Sequence, residues 1–239
     1  MGELDRKLAP LPAGSNPLVT VADDEAAVDL YWLPLGAGGH SVRPSGRVFE
    51  ALTARLNGRR ASALYHSALI VRLARGASFV IEQAPVRDSH GATRGVVGGG
   101  AVGAHWAGRA RTFRYEIRRW QNGVISDVAE AVDSPRRLTN DPRLARLLWR
   151  LVPEVPTPVW GRDELGAGEM WNSNSVTSWL IARSGIDTES IRPPAGGRAP
   201  GWDAGVAIAR RTNARTAAGH STAEDVRRRT VANVSGTLR

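Results

Sequence analysis

The chain has 239 residues, 42% of them hydrophobic, with eight tryptophans and no cysteine. This length and composition predict a globular protein with a sizeable core. The lack of cysteine excludes disulfides, thiolate metal sites and a cysteine nucleophile. No apolar run approaches the roughly 20 residues of a membrane-spanning helix, and the first residues do not resemble a secretory signal. We therefore expect a cytoplasmic protein with no membrane span.

The formal net charge of +9 invites a nucleic-acid interpretation. However, residues 204–239 hold seven arginines and two acids, so more than half of the excess lies in one short C-terminal segment. Arginine also accounts for 31 of the 32 basic residues, a bias typical of a GC-rich bacterial genome. The charge alone therefore does not favour nucleic acid as a partner.

The residue pattern in the first half of the chain mainly predicts strands. Residues 1–25 are rich in proline and glycine and predict an irregular leader. A strand is predicted over 27–35, and a helix from Ser45 to Asn57-Gly58. The apolar, β-branched stretches on either side of Arg75-Gly76 predict a hairpin.

Two further strands are predicted over 95–103 and 111–120, ending at Asn122-Gly123. The first is glycine-rich, yet it lacks the GxGxxG spacing and the Walker lysine of a phosphate-binding loop. A bulged strand is therefore the better interpretation.

The second half predicts helices. Asp127 and Glu130 have the spacing of a capping box, and Asp141-Pro142 opens a helix with an apolar stripe. Another helix is predicted from near Asn174 to Gly185, followed by a short strand over 201–211. The stripe of the Asp141 helix consists of Leu144, Leu147, Leu148 and Leu151.

Strands followed by helices predict an α+β fold in which an antiparallel sheet packs against helices. We expect one domain over 26–211 and a basic, disordered tail over 212–239.

The order of "LYWLPLG", "YHSALIV", "FVIEQAP" and "WNSNS" resembles the circularly permuted papain-like hydrolases, including the PPPDE peptidase and lecithin:retinol acyltransferase-like families. In those families a histidine on an early strand precedes an Asn-Cys-Asn or Asn-Cys-Glu tripeptide at the start of a later helix. The resemblance implies a permuted papain-like fold over about residues 27–186. It matches His66 to the histidine and Asn172, Ser173 and Asn174 to the tripeptide, with serine in place of the cysteine.

The resemblance implies hydrolysis or transfer of an amide or ester acyl group. Serine cannot become a thiolate-like anion at a helix N-terminus, so Ser173 needs His66 as a general base. Backbone N–H groups and the Asn172 amide are candidates to stabilise an oxyanion. Trp171 and Asn174 are the other candidate substrate-binding residues, and the substrate would be of peptide or acyl type.

The group that orients His66 depends on the hairpin register. A two-residue turn at Arg75-Gly76 places Glu82 opposite Leu69, on the other side from His66, whereas a one-residue change brings Glu82 beside Ile70 and onto the side of His66. Glu82 is our first candidate, with alternatives shortly before the late helix: Asp163, Glu164 and Glu169.

Each feature also has a structural interpretation. "WNSNS" can simply cap a helix, and a histidine in a strand is more often a core residue. The five histidines have no metal-ligand spacing, so neither a metal nor a cofactor is predicted. Three hypotheses remain: a serine-dependent hydrolase or acyltransferase, a catalytically inactive peptide- or ligand-binding module, and a nucleic-acid-associated protein that uses its arginine-rich tail. The sequence does not indicate the oligomeric state.

Overall fold

The computed structural model describes residues 25–35, 63–86 and 95–218. The helix predicted from Ser45, almost all of the leader, and the tail beyond residue 218 lie outside these residues. The described residues form a mixed α+β fold with an antiparallel sheet, as the sequence predicts.

Within the described residues the sheet has seven strands: six follow the order β4-β5-β3-β2-β1-β6, and β7 pairs with β2. Each pair of neighbouring strands in this order is antiparallel, whereas β7 runs parallel to β2. The strands are β1 (Ala27–Pro34), β2 (Ala63–Arg72), β3 (Ser78–Pro85), β4 (Val96–Ala101), β5 (Arg114–Gln121), β6 (Val132–Thr139) and β7 (Gly197–Arg198).

The predicted hairpin is confirmed as β2 and β3. Arg75 and Gly76 both have positive φ values, 78° and 82°, in the turn. A two-residue turn would pair Ile70 with Ile81. Ile70 pairs with Val80 instead, so the loop is one residue longer than a two-residue turn. Since Glu82 follows Val80 by two residues, alternation places it on the same face of the sheet as His66.

The second strand pair is confirmed as β4 and β5. The register shifts between Val96 and Gly98, so the glycine-rich strand is bulged as expected. At Gly99 an added Cβ would lie 2.6 Å from the Tyr115 carbonyl oxygen, so a larger residue would push the two strands apart. Asn122 has a φ of 51° directly after β5, where the chain was predicted to turn.

Two helices match the prediction and one expected strand is wrong. Helix α1 (Pro142–Leu151) is capped by Asp141, and α2 (Ser173–Arg183) ends before Gly185, whose φ is 83°. Residues 202–218 form a third helix, α3, where a short strand was predicted over 201–211. Helix α3 also continues past residue 212, where we expected disorder to begin.

Smaller differences from the prediction concern α1 and the residues just before it. Asp127 is left-handed, with a φ of 62°, and caps nothing through its side chain, so no capping box forms there. Only a 3-10 turn, Val128–Glu130, is present. In α1, Leu147 is 42% exposed, and Ala145 takes its expected place in the core. Strand β6 was not predicted at all.

The sheet separates two clusters of buried side chains. The helix-covered face, which includes Trp32, Leu69 and Ile81, packs against α1, α2 and α3 in the main core. The opposite face carries a smaller cluster, whose buried members among the described residues are Leu33, Ala68, Val80 and Ile125. In the part of the chain described, no helix is long and apolar enough to cross a membrane.

Candidate functional site

The turn that opens α2 is built by Asn172. Its side-chain oxygen accepts hydrogen bonds from the backbone N–H groups of Asn174 (2.9 Å) and Ser175 (3.4 Å), and the Ser175 hydroxyl accepts one from the Asn172 N–H. This is a complete capping box. The first N–H groups of the helix are therefore partly occupied by the protein itself, which weakens the case for an oxyanion site there.

Asn174 joins three parts of the chain. Its side-chain oxygen accepts a hydrogen bond from the Ser67 hydroxyl on β2 (2.9 Å). Its amide nitrogen donates to the carbonyl oxygens of Tyr65 and Pro200, both at 2.9 Å. Asn172 also donates to the Pro200 carbonyl, at 2.9 Å. The two amides predicted to bind substrate are thus used to hold α2, β2 and the start of α3 together.

Ser173 occupies the first turn of α2 and is partly exposed. Among the described residues, its hydroxyl has no hydrogen-bond partner. A serine nucleophile requires a base within about 2.6–3.2 Å, or somewhat further without substrate. The position of the predicted base therefore decides this assignment.

His66 lies on the wrong side of the sheet for that role. Its neighbour Ser67 points at α2, so alternation directs His66 to the opposite face, where its cross-strand partner Leu33 is buried. Burial lowers the pKa of His66 from 6.5 to about 4, although the charge of Asp127 acts to raise it. The structure therefore separates His66 from Ser173 by the sheet and makes the histidine a poor base.

Glu82 shares a face with His66 but binds another residue. Its carboxylate accepts a hydrogen bond from Arg118 at 2.9 Å, and the same guanidinium pairs with Glu116. The acid whose charge acts on His66 is Asp127. The expectation that Glu82 orients His66 is therefore not met.

The three alternative acids also have structural partners. Asp163 accepts hydrogen bonds from the N–H groups of Ala167 and Gly168. Glu164 accepts from the Val159 N–H and pairs with His105 at 3.0 Å. Glu169 accepts from the Gly201 N–H at 2.9 Å, next to the α2 turn.

Trp171, one of the candidate substrate-binding residues, is a core residue. Its side chain is buried in the main core, and its backbone exchanges hydrogen bonds with the segment 161–162. The indole nitrogen has no partner within the described residues. Trp171 therefore anchors the chain before α2 and does not line an open cleft.

Ser67 and the Pro200-Gly201 pair also belong to this turn, although the sequence motifs did not include them. Gly201 has a φ of 83°, and an added Cβ would lie 2.7 Å from the Asn172 oxygen and from the Ser175 hydroxyl. The available signal was a small polar residue next to His66 in an otherwise apolar strand, because neighbouring strand residues point to opposite faces.

A groove lies beside the bonded turn. It has a volume of about 640 Å³ and runs between the segment 188–200 and one face of α3, with Glu169 at the end near α2. We call it the loop–helix groove. Its lining side chains are apolar (Ile191, Pro193, Ala199, Pro200, Trp202, Val206), basic (Arg192, Arg198, Arg210) and acidic (Glu169, Glu189, Asp203), with Thr188 and Gly197 completing it.

Comparisons with protein-family models, with curated proteins and with solved structures found no match. The papain-like resemblance therefore stays a prediction, carried by short motifs alone.

Proposed function

We propose that the chain is a non-catalytic binding domain that holds a peptide in the loop–helix groove. The observation that carries the proposal is the groove itself. Its volume of about 640 Å³ falls within the roughly 300–1,000 Å³ of ligand sites. The groove also adjoins the first turn of α2. The Asn172 and Asn174 amides of that turn donate hydrogen bonds to the carbonyl of Pro200, which lines the groove, and so hold this wall in place.

The chemistry of the lining favours a peptide. Trp202 and Ile191 lie largely buried beneath the groove, and Val206, which is partly exposed, adds apolar surface along α3. Three arginines and three carboxylates surround this base, so the formal charge of the lining is zero. A short peptide offers apolar side chains, charges of both signs and main-chain hydrogen bonds in one extended ligand.

The other ligand classes fit less well. A polyanion would meet Glu169, Glu189 and Asp203, which repel it. An acyl chain has no polar atoms along its length to offer the charged side chains that line the groove, and covering those side chains with hydrocarbon is costly. A substrate for covalent catalysis fits less well because His66, the base predicted for Ser173, lies on the other side of the sheet.

The test is selection of random 12-residue peptides on the immobilised full chain, followed by titration calorimetry of the enriched sequences. We expect Val206→Trp, which fills the groove, to lower their affinity at least about tenfold, since it removes the apolar contact surface. Ala214→Trp, on an exposed part of the same helix, is the matched control and should leave affinity unchanged.

The proposal also predicts that bound peptides stay intact, as checked by mass spectrometry, and that Ser173→Ala binds them as tightly as the wild type. Equal affinity for Val206→Trp and Ala214→Trp would place binding elsewhere and contradict the proposal. Cleavage that disappears in Ser173→Ala would restore the hydrolase hypothesis.

A further inference from the structure

A second surface, remote in sequence from the groove, exposes large aromatic rings. Trp106 is 76% exposed, Phe113 52% and Trp160 39%. Exposed rings of this size that lie near one another mark interaction sites more often than scattered surface residues do. These rings belong to the segment 104–114 and to the neighbouring residue 160, which together we call the aromatic–arginine surface.

Backbone hydrogen bonds hold this surface together. The Val102 N–H donates to the Phe113 carbonyl at 2.8 Å, and the Trp160 N–H donates to the Ala101 carbonyl at 2.9 Å. Phe113 and Trp160 thus flank the end of β4 on its two sides. Two interstrand spacings put their backbones about 10 Å apart.

Trp106 lies in the 3-10 turn His105–Arg109 that directly follows β4. His105 pairs with Glu164 at 3.0 Å, and the other Glu164 oxygen accepts from the Val159 N–H. This double contact ties the turn to the chain next to Trp160. The rings are therefore carried by a bonded scaffold.

The charge of the same segment is uniformly positive. Arg109, Arg111 and Arg114 are all exposed, and no acidic residue occurs between Asp88 and Glu116. Within the described ranges, Arg109 and Arg114 form no ion pair. The second half of the segment therefore offers guanidinium groups to an anionic partner.

We propose that the aromatic–arginine surface binds single-stranded nucleic acid, with bases stacking on Trp106 and Phe113 and phosphates contacting Arg109 and Arg114. Stacking on aromatic rings and cationic contact with the backbone are the two means by which proteins bind single strands without reading sequence. This surface differs from the tail considered in the sequence, because it lies in the folded domain.

A lipid surface is the competing partner for exposed aromatic and basic residues. Interfacial insertion relies on a broad apolar face rich in Leu, Phe or Trp. Here only Ala, Gly and Thr lie with the arginines between the two rings, so no continuous apolar face forms. Two planar rings separated by cations suit unstacked bases better than acyl chains.

The test is fluorescence anisotropy of the full chain with fluorescein-labelled 20-nucleotide oligothymidylate, over a series of salt concentrations. We expect Trp106→Ala and Phe113→Ala each to weaken binding about fivefold or more, from the loss of one stacked base. The double variant Arg109→Ser/Arg114→Ser should weaken binding and reduce the slope of log affinity against log salt by about 1.4, since two phosphate contacts are lost.

The controls lie on the exposed side of α1. Arg143→Ser/Arg146→Ser matches the change in charge, and Leu147→Ala matches the loss of an exposed apolar side chain. All variants should melt at the wild-type temperature. Val206→Trp should bind the oligonucleotide normally, which separates this proposal from the peptide groove.

Four results would overturn the inference. The first is no binding to the oligonucleotide. The second is binding that the variants of the aromatic–arginine surface leave unchanged. The third is equal binding of a 20-base-pair duplex with the same dependence on Trp106 and Phe113. The fourth is tighter, ring-dependent binding to vesicles of phosphatidylcholine and phosphatidylserine, which would assign the surface to a membrane. If binding is lost only when residues 219–239 are removed, the variants of the surface have no effect, and the tail is the part of the chain that binds the oligonucleotide.

Discussion

At the scale of single residues, the four small polar side chains of "NSNS" are not equivalent. Asn174 is 2% exposed and holds three partners from two distant segments. Ser173, one residue earlier, is partly exposed and its hydroxyl has no partner in the described part of the chain. The residue that resembles a nucleophile is thus the least constrained of the set.

We therefore expect Asn174→Ala to lower the free energy of unfolding by about 2–4 kcal/mol, since the Ser67 hydroxyl and the Tyr65 carbonyl lose this partner and the Pro200 carbonyl keeps only its bond from Asn172. Ser173→Ala should change it by less than about 0.5 kcal/mol. Urea unfolding of both variants measures the difference. Similar losses in the two variants would show that the hydrogen bonds of Asn174 do not dominate this turn.

His66 gives a prediction for pH. Its pKa is lowered from 6.5 to about 4 in the folded protein, so the unfolded chain binds more protons between these values. The contribution of His66 to the free energy of unfolding should therefore be fully present above pH 6.5 and should fall as the pH drops toward 4, by up to about 3 kcal/mol. The slope should disappear in His66→Gln and persist in His105→Gln, as followed by urea unfolding from pH 7 to pH 4.5. An unchanged slope in His66→Gln would assign it to other groups.

At the scale of elements, α2 is unusual because it is buried nearly all round. It lies between the sheet and α3, with small polar residues facing both. The hydroxyls of Ser175 and Ser178 donate to the carbonyls of Gly201 and Trp202, each at 2.7 Å. Short side chains that hydrogen-bond to backbone let the two helices approach closely.

Gly205 is the contact that sets this approach. An added Cβ there would overlap the Ser178 hydroxyl and the Ser175 carbonyl oxygen. Gly205→Ala should thus destabilise the fold by about 1–3 kcal/mol through overpacking, although alanine is the better helix former by about 1 kcal/mol. The control is Ala214→Gly on the exposed side of α3, where propensity alone should act and glycine should be the destabilising residue. Thermal melts compare them, and a stabilised Gly205→Ala would exclude the close contact.

The elements that the sequence predicted correctly are those with strong local signals. The β2–β3 hairpin has β-branched strands and a glycine turn, and α1 has Asp141 as a cap before Pro142. Strand β6 was missed because Pro135 interrupts it, and a proline is accepted there because β6 is an edge strand. Helix α3 was not predicted because Gly201 and Gly205, which serve tertiary packing, resemble helix breakers.

At the scale of the whole molecule, buried charge links the strands. Asp29 on β1 is buried and pairs with Arg72 of β2 and Arg137 of β6, each at 2.5 Å. One carboxylate therefore joins three adjacent strands. On the same face, Arg118 of β5 joins Glu82 and Glu116.

Removing the central charge should be costly. Asp29→Ala should destabilise the protein by about 3–5 kcal/mol, because two guanidinium groups are left together without their acid. Glu189→Ala, which breaks the exposed pair with Arg210, is the control and should cost less than about 1 kcal/mol. Chemical denaturation measures both, and equal costs would mean that burial does not strengthen the Asp29 contacts.

The candidate site could not be derived from sequence for a reason at this same scale. Whether His66 and Ser173 meet depends on which face each strand residue takes. Ser67 and His66 differ by one position, and that position puts the sheet between the histidine and α2. Short motifs carry the order of residues along the chain, whereas side-chain convergence is a property of register.

The contact between Trp32 and Trp202 has a consequence for biosynthesis. The two rings lie 5.1 Å apart, yet 170 residues separate them in the chain. At a translation rate of about 5–20 residues per second, the early strand waits on the order of ten to thirty seconds for its covering helix. During that interval the nascent chain exposes an apolar strand to solvent, so ribosome-associated chaperones should engage this protein from its first strand onward.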